Sequence, residues 1–574
     1  MKNRSLFVRG FGSQSFPSQL SEVPSNQDSS TPDKPSLPNG AGLRFLCGLL
    51  LALASVGLSS CHSAAYYYYK FPEYNYAGRP VPPSKLAQRV MIGVSGNGSS
   101  GDLQIVDALR DIRTNVEDTI QGYSISGYSS GFPGTILSFP SELRGYVYSS
   151  SDGSLTNINY STEASAGSVG TFQSGSSSVA IPTAFSRYYG AEEAAGVLEV
   201  IDNLTGQSFA LNIPNVYKVE VNKGDTVALA MVRNADAANP GCAAISPTPT
   251  VSCPASVYRV FKLNQSQYPT QAAAIAATGS IDCQPTLVPV YCAVAVPGVY
   301  DQPTGVYFSL DGTTAYVLNC GPECGGKTAS VTLLQQGPLN NNVINCVPGQ
   351  VCNCLPAPPT GQQCPVVQPT PMIANVLVPG GVTDALSDGI TLYLAGQSQN
   401  QIASNGTTVV ASNHNALFGG YLTTMNLATQ KVTGAYSIAD GSHSKMLFAD
   451  NNTLWIGSQF CASGVRADAG QNYNCLTMVQ LGGATLKPQI VPNVTPGSAT
   501  AVVPYPNQNN NQYYYGSLTG LCWVQNFNKV YTAYGGQVHI FSTVDGSEIN
   551  NQSVTVQGTA LDVAYMDALT DDAN

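Results

Sequence analysis

The strongest constraint on this chain is a short unit that recurs along it: an apolar run, a turn, and a second apolar run with an aromatic residue five positions after the turn residue. Gly305 to Val317 is the clearest copy, with Asp311-Gly312 at the turn and Tyr316 at the aromatic place. Asp388 with Tyr393, Asp450 with Trp455, Asn526 with Tyr531 and, more degenerately, Ser141 with Tyr146 keep the same offset. Asp-Gly between alternating β-branched and aromatic runs is a hairpin signal, because the tight turns that match strand twist need φ > 0. A lone hairpin cannot bury both of its faces, so units repeated in this way must stack on one another.

A third strand follows each pair. Val197-Leu198-Glu199-Val200-Ile201-Asp202-Asn203-Leu204-Thr205-Gly206 is typical, and Leu103–Asp107, Tyr421–Gln430 and Val538–Gly546 are similar. Beyond residue 85 no amphipathic pattern of 12 or more helical residues appears, so the chain reads as all-β. These residues resemble the YVTN-type β-propeller family, whose blades combine a Ser-Pro-Asp-Gly turn, a Tyr-Val strand and an Ile-Asp-x-x-Thr-Gly strand; here Leu310 replaces the proline. The resemblance spans roughly residues 85–566 and implies an all-β propeller with Cys-rich loop insertions. Third strands near residues 103, 155, 197, 257, 328, 421, 475 and 537 allow seven or eight blades, and seven is the expectation. Ala560–Met566 has no partner after it and Arg89–Val94 none before it, so the two are expected to share a blade and close the ring.

The leader precedes this domain. Arg44 opens the apolar run Phe45–Ala54, and Leu58-Ser59-Ser60-Cys61 follows. The run is short for a transmembrane span. Leu-Ser-Ser-Cys resembles the lipobox of bacterial lipoproteins, which implies removal of residues 1–60 and lipidation of Cys61; the other reading is an ordinary secretory signal cut near Ala64. Both export the chain. By the same analogy, His62 in place of Asp favours the outer membrane, and several acyl chains give stable anchoring where one does not. Residues 61–84, with Tyr66–Tyr69 and Arg79-Pro80-Val81-Pro82-Pro83, read as a tether, packed or solvated rather than an interfacial belt or partner epitope. Twenty such residues reach on the order of 60 Å when extended. Residues 567–574 form a C-terminal tail.

Charge now narrows function. Only 10% of residues are charged, against about 25% in ordinary domains. Loss of the leader removes five of 24 basic and three of 34 acidic side chains, leaving 19 against 31, a formal −12. Such a surface does not fit nucleic acid, which needs a basic face to displace counterions. The few remaining charges are expected mostly in turns, with Asp311 and Asp388 as turn formers rather than acid–base catalysts.

Beyond Cys61 lie thirteen cysteines, which in an exported chain read as disulfides. Most fall in two Pro/Gly-rich segments, about 234–302 and 320–372, assigned to insertions. The sequence-local pairs are Cys242 with Cys253, Cys283 with Cys292, Cys320 with Cys324, and Cys461 with Cys475; Cys522 is the natural unpaired thiol, buried and inert. Cys346, Cys352, Cys354 and Cys364 lack a Cys-x2-Cys knuckle and a nearby His, so disulfides are favoured over zinc, and no metal site or other cofactor is expected.

No Gly-x-Ser-x-Gly elbow, His-Glu-x-x-His helix or phosphate loop is present. Segments leading into innermost propeller strands border the central funnel, which would gather Asp301, Asp384, His443 and Lys445 at one rim; solvated loop residues are the blander reading. His539, between Val538 and Ile540, reads as a satisfied inter-blade histidine, and His414 lies in an Asn-rich loop. The expectation is a lipid-anchored, extracytoplasmic propeller acting as a binding or scaffolding module, with the membrane and a protein or glycan as partners and the Cys-rich segments as the recognition surface. Two alternatives stand beside it. One is a lactonase-type propeller hydrolase using funnel carboxylates and a divalent cation; the other is a surface-layer component.

Overall fold

Strand pairing turns each repeated unit into one antiparallel sheet. The computed structural model describes residues 76–571 except 77, 97–99, 114–121, 233–255, 264–269, 285–289, 341–370, 400–417, 462–471, 484, 494–514 and 550–553. These residues belong to one unit, Asn75–Asn574. Cys61, Cys242, Cys253, His414 and the cluster Cys346, Cys352, Cys354 and Cys364 lie outside them. No helix among the described residues is long and apolar enough to cross a membrane.

Eight sheets form a β-propeller. Their innermost strands are Thr559–Tyr565 in blade 1, Pro133–Phe139 in blade 2, Ser178–Ala180 in blade 3, Val216–Val221 in blade 4, Pro303–Phe308 in blade 5, Asp384–Ser387 in blade 6, Ser442–Ala449 in blade 7 and Leu518–Val524 in blade 8. The expectation of seven blades is therefore corrected to eight. Each of the eight third strands read from the sequence is the third strand of its own sheet, and the count was obscured because inner strands are as short as Ser178–Ala180. The segments taken as insertions also contain blade strands. Val257–Leu263, Asp282–Gln284 and Val290–Ala295 build the five-stranded blade 4, and Ser330–Gln335 and Met372–Leu377 complete blade 5.

The ring closes in blade 1, where Thr559–Tyr565 pairs antiparallel with Arg89–Ser95, Val90 opposite Tyr565 and Ile92 opposite Val563. The core lies between sheets: Val90, Ile92 and Val563 pack with Tyr531, Ala533 and Ile540 of blade 8. All five aromatic residues of the turn motif, Tyr146, Tyr316, Tyr393, Trp455 and Tyr531, are buried. The turn residues act on the backbone. The Asp388 carboxylate accepts the Ile390 and Thr391 N–H groups at 2.8 and 2.7 Å, and Asp311 accepts Thr313 N–H at 3.0 Å beside Gly312 at φ 71°. The Ser309 hydroxyl and these amide bonds hold Asp311 below the ordinary carboxylate range.

Further carboxylates also sit in turns, as expected, and from there clasp neighbouring blades. Arg89 of blade 1 is buried against Asp567, with Nε–Oδ2 and Nη2–Oδ1 distances of 3.0 and 2.7 Å, and its Nη1 lies 3.0 Å from Glu163 after the third strand of blade 2. Asp225 of blade 4 receives Arg187 Nε at 2.6 Å and the Tyr189 hydroxyl at 2.8 Å from blade 3. Asp111, following blade 1, receives Lys529 of blade 8 at 2.7 Å. A scarce charge is better used between sheets than on a solvated turn, because a buried carboxylate is tolerated only when fully hydrogen-bonded.

The three expected disulfides that fall among the described residues are present, Cys283–Cys292, Cys320–Cys324 and Cys461–Cys475, and Cys522 is an unbonded, buried thiol whose pKa burial pushes up. His539, on the third strand of blade 8, is buried, stacked on Tyr515 with its Nδ1 2.6 Å from Glu548.

Candidate functional site

Inner strands all begin at one end of the channel, and their first residues form its mouth. A cavity of about 350 Å³ there is lined by Tyr217 and Lys218 of blade 4, Gln302 and Thr304 of blade 5, Thr383 and Asp384 of blade 6, and Ser442, His443 and Ser444 of blade 7. Four adjacent blades thus contribute side chains fixed by paired strands.

Asp384 is half-buried. One carboxylate oxygen accepts its neighbour's Ala385 N–H at 2.8 Å. Burial pushes its pKa up to about 6 against the pull of Lys218 and Lys445. Lys218 sits 3.1 Å from Glu220. Burial works against its charge, yet the facing Glu220 and Asp384 carboxylates hold its pKa above the ordinary lysine range. Alternation along Val216–Val221 explains the pair: Lys218 and Glu220 share a face of one strand.

His443 is 2% exposed, and burial depresses its pKa to about 4. Its Nε2 lies 2.8 Å from the Ala439 carbonyl, which can only accept. Nε2 therefore carries the proton and Nδ1 a lone pair, for which the described residues supply no hydrogen-bond partner.

The structure divides the four rim residues foreseen in the sequence. Asp384 and His443 line the same cavity. Lys445 stands next to it, its ammonium 3.1 Å from Asp562 on the inner strand of blade 1, and acts on Asp384 through its field. Asp301 is elsewhere: one oxygen accepts the N–H groups of Lys327 and Thr328, both at 2.7 Å, shaping a loop of blade 5. Asp301, Asp384 and His443 therefore do not converge on one point. Among the described residues no group of three or more His, Cys, Asp or Glu side chains is placed to hold a metal ion.

Sequence reading missed Lys218, Glu220 and Asp562, whose signal is a charged residue alternating with apolar ones on an innermost strand. It also missed Glu323, held within the Cys320–Cys324 loop. Its oxygens accept Gln397 N–H at 2.8 Å and Gln397 Nε2 at 3.2 Å, and burial pushes its pKa up to about 7. Glu323 borders a second cavity, about 850 Å³, between blades 5 and 6.

No protein-family model matches the chain, and no curated protein matches it. Solved structures resemble it. Dihydro-heme d1 dehydrogenase NirN in complex with DHE aligns at 11% identity and a TM-score of 0.42, over 85% of this chain and 79% of that one. Kuenenia stuttgartiensis hydrazine synthase aligns at 12% identity and 0.40, over 76% of this chain and 100% of that one. Citrobacter koseri AztD aligns at 10% identity and 0.38, over 83% and 96%. The propeller assignment rests on the strand pairing described above.

Proposed function

We propose that the protein is an exported, lipid-anchored propeller of the cell envelope that acts as a binding module, with the channel mouth as its recognition site. The observation that carries this reading is the state of the mouth: its ionic groups are paired or balanced, while the second Asp384 oxygen and His443 Nδ1 stay open on four fixed strands. A few convergent polar groups in a preformed concavity suit recognition. Hydrolysis by funnel carboxylates would instead call on Asp301, which is spent on backbone amides.

Growth of producing cells with radiolabelled fatty acid tests the anchor: label is expected on the wild type and not on Cys61→Ser, and an unlabelled wild type overturns it. The mature domain, immobilised and incubated with solubilised envelope, is expected to retain a protein or glycan that Asp384→Asn retains poorly. Equal retention, or steady hydrolysis of lactones and esters lost in Asp384→Asn, overturns the binding reading.

A further inference from the structure

The charges around the mouth balance almost completely. Lys218 faces Glu220 and Asp384; Lys445 faces Asp562 and acts on Asp384 as well. Two ammonium groups thus stand among three carboxylates. A cationic guest would enter beside both ammonium groups, whose field already acts on Asp384, and an anionic guest would face the carboxylates of Glu220 and Asp384.

The unused hydrogen-bonding capacity has a different character. The second oxygen of Asp384 is an acceptor in the cavity that His443 also lines, and His443 Nδ1 is a buried acceptor with no partner among the described residues. Ser442 and Ser444 add exposed hydroxyls that both donate and accept, and Lys218 has N–H groups beyond the one turned to Glu220. Tyr217 borders the cavity but is buried among Val227, Leu229 and Val306, its hydroxyl bonded to the Pro303 carbonyl. Adjacent hydroxyl groups satisfy acceptors and donors together without adding charge. The cavity volume, about 350 Å³, lies within the range of about 300–1,000 Å³ usual for small-molecule sites.

We infer that the mouth binds a neutral polyhydroxylated ligand, a saccharide, with ring hydroxyls donating to Asp384 and to the Ser442 and Ser444 hydroxyls and accepting from Lys218. The inference rests on the binding reading of the same site and gives it a ligand class. A free sugar and the terminal residue of a glycan share this chemistry.

The test uses the mature protein beginning at residue 62, with saturation-transfer NMR and calorimetry. Probes are glucose, galactose, mannose and N-acetylglucosamine, each as the free sugar and at the non-reducing end of a tetrasaccharide, with glutamate and spermidine as charged comparators, all up to about 10 mM. At least one neutral sugar should bind, and Asp384→Asn should weaken it about tenfold or more, the worth of a hydrogen bond to a charged group. Asp545→Asn, in a turn at the opposite end of the propeller, should leave binding unchanged. Stronger binding of the tetrasaccharide than of its free sugar would mark a glycan as the source; equal binding would mark the sugar alone. The inference is overturned if no neutral sugar binds, if only glutamate or spermidine binds, or if Asp384→Asn binds as the wild type does while remaining folded by circular dichroism. Envelope capture that still depends on Asp384 would in that case preserve the binding function with another ligand class.

Discussion

The ring-closing seam and the channel mouth are built from the same few residue types, yet they treat charge in opposite ways. At the seam, Arg89 is 3% exposed and spends its guanidinium on Asp567, Glu163 and the Tyr160 carbonyl, while Asp567 also takes Arg89 N–H and Arg79. Ser84 completes Glu163 through its backbone N–H. At the mouth, Lys218 and Lys445 are about a third exposed, each makes a single close ion pair, and two acceptors stay open. Exposed pairs contribute little to stability, whereas a buried partner cannot be removed without leaving an uncompensated charge. The seam is thus structural and the mouth is available for recognition.

The sharpest way to break this contrast is Arg89→Met. It leaves Asp567 and Glu163 buried without their shared cation, and the expected loss is about 3–5 kcal/mol in chemical denaturation. A loss below about 1 kcal/mol would show that the seam is held by its apolar contacts alone.

Glu323 offers a second, pH-resolved comparison, because it is buried like the seam and accepts both the backbone and the side-chain amide of Gln397. Its folded pKa is raised to about 7. As pH rises from the ordinary carboxylate range through about 7, the unfolded chain gives up this proton first, so the folded state binds more protons and stability falls. Glu323→Gln should remove that slope and be more stable than the wild type near pH 8 by on the order of 2–3 kcal/mol, relative to their difference near pH 5. His443 has the opposite sign: its folded pKa is depressed to about 4, so stability is present above the ordinary histidine range and is lost as pH falls through it toward 4. Wild-type minus variant curves for Glu323→Gln and His443→Gln, measured by urea midpoints, should therefore slope in opposite directions, and parallel curves would contradict the burial argument.

The smallest effect belongs to the turns. Asp388→Ala removes the acceptor for two exposed N–H groups and should cost about 1 kcal/mol or less in the same unfolding measurement.

Much of the fold was legible because its signals are local. A turn carboxylate, a glycine with positive φ and a buried aromatic five residues from the turn are all fixed by backbone chemistry within one hairpin, and the closing strands announced themselves by lacking neighbours. Blade number was harder to read. Ser178–Ala180 and Asp384–Ser387 are too short to show a period, and blade 4 is interrupted by a helix, Gln271–Thr278. At the site, Asp384 and His443 were visible from their place before an inner strand. Asp301 has the same place but folds its carboxylate onto amides 26 and 27 residues later, a choice no local pattern records. Lys218 and Glu220 alternate with apolar residues as on the wet side of any strand, and only ring closure reveals that this side faces a channel. The clasps were invisible for the same reason: Arg89 and Asp567 are 478 residues apart.

Equilibrium unfolding of Asp567→Asn and Asp384→Asn, measured side by side at pH 7.5, tests the division of charge most directly. The account predicts a loss of several kcal/mol, about 3 or more, for Asp567→Asn and no loss, or a gain, for Asp384→Asn, whose raised pKa marks a carboxylate that folding does not favour. Equal losses in the two variants would contradict it, because the mouth would then be a second seam and not a site held open for a ligand.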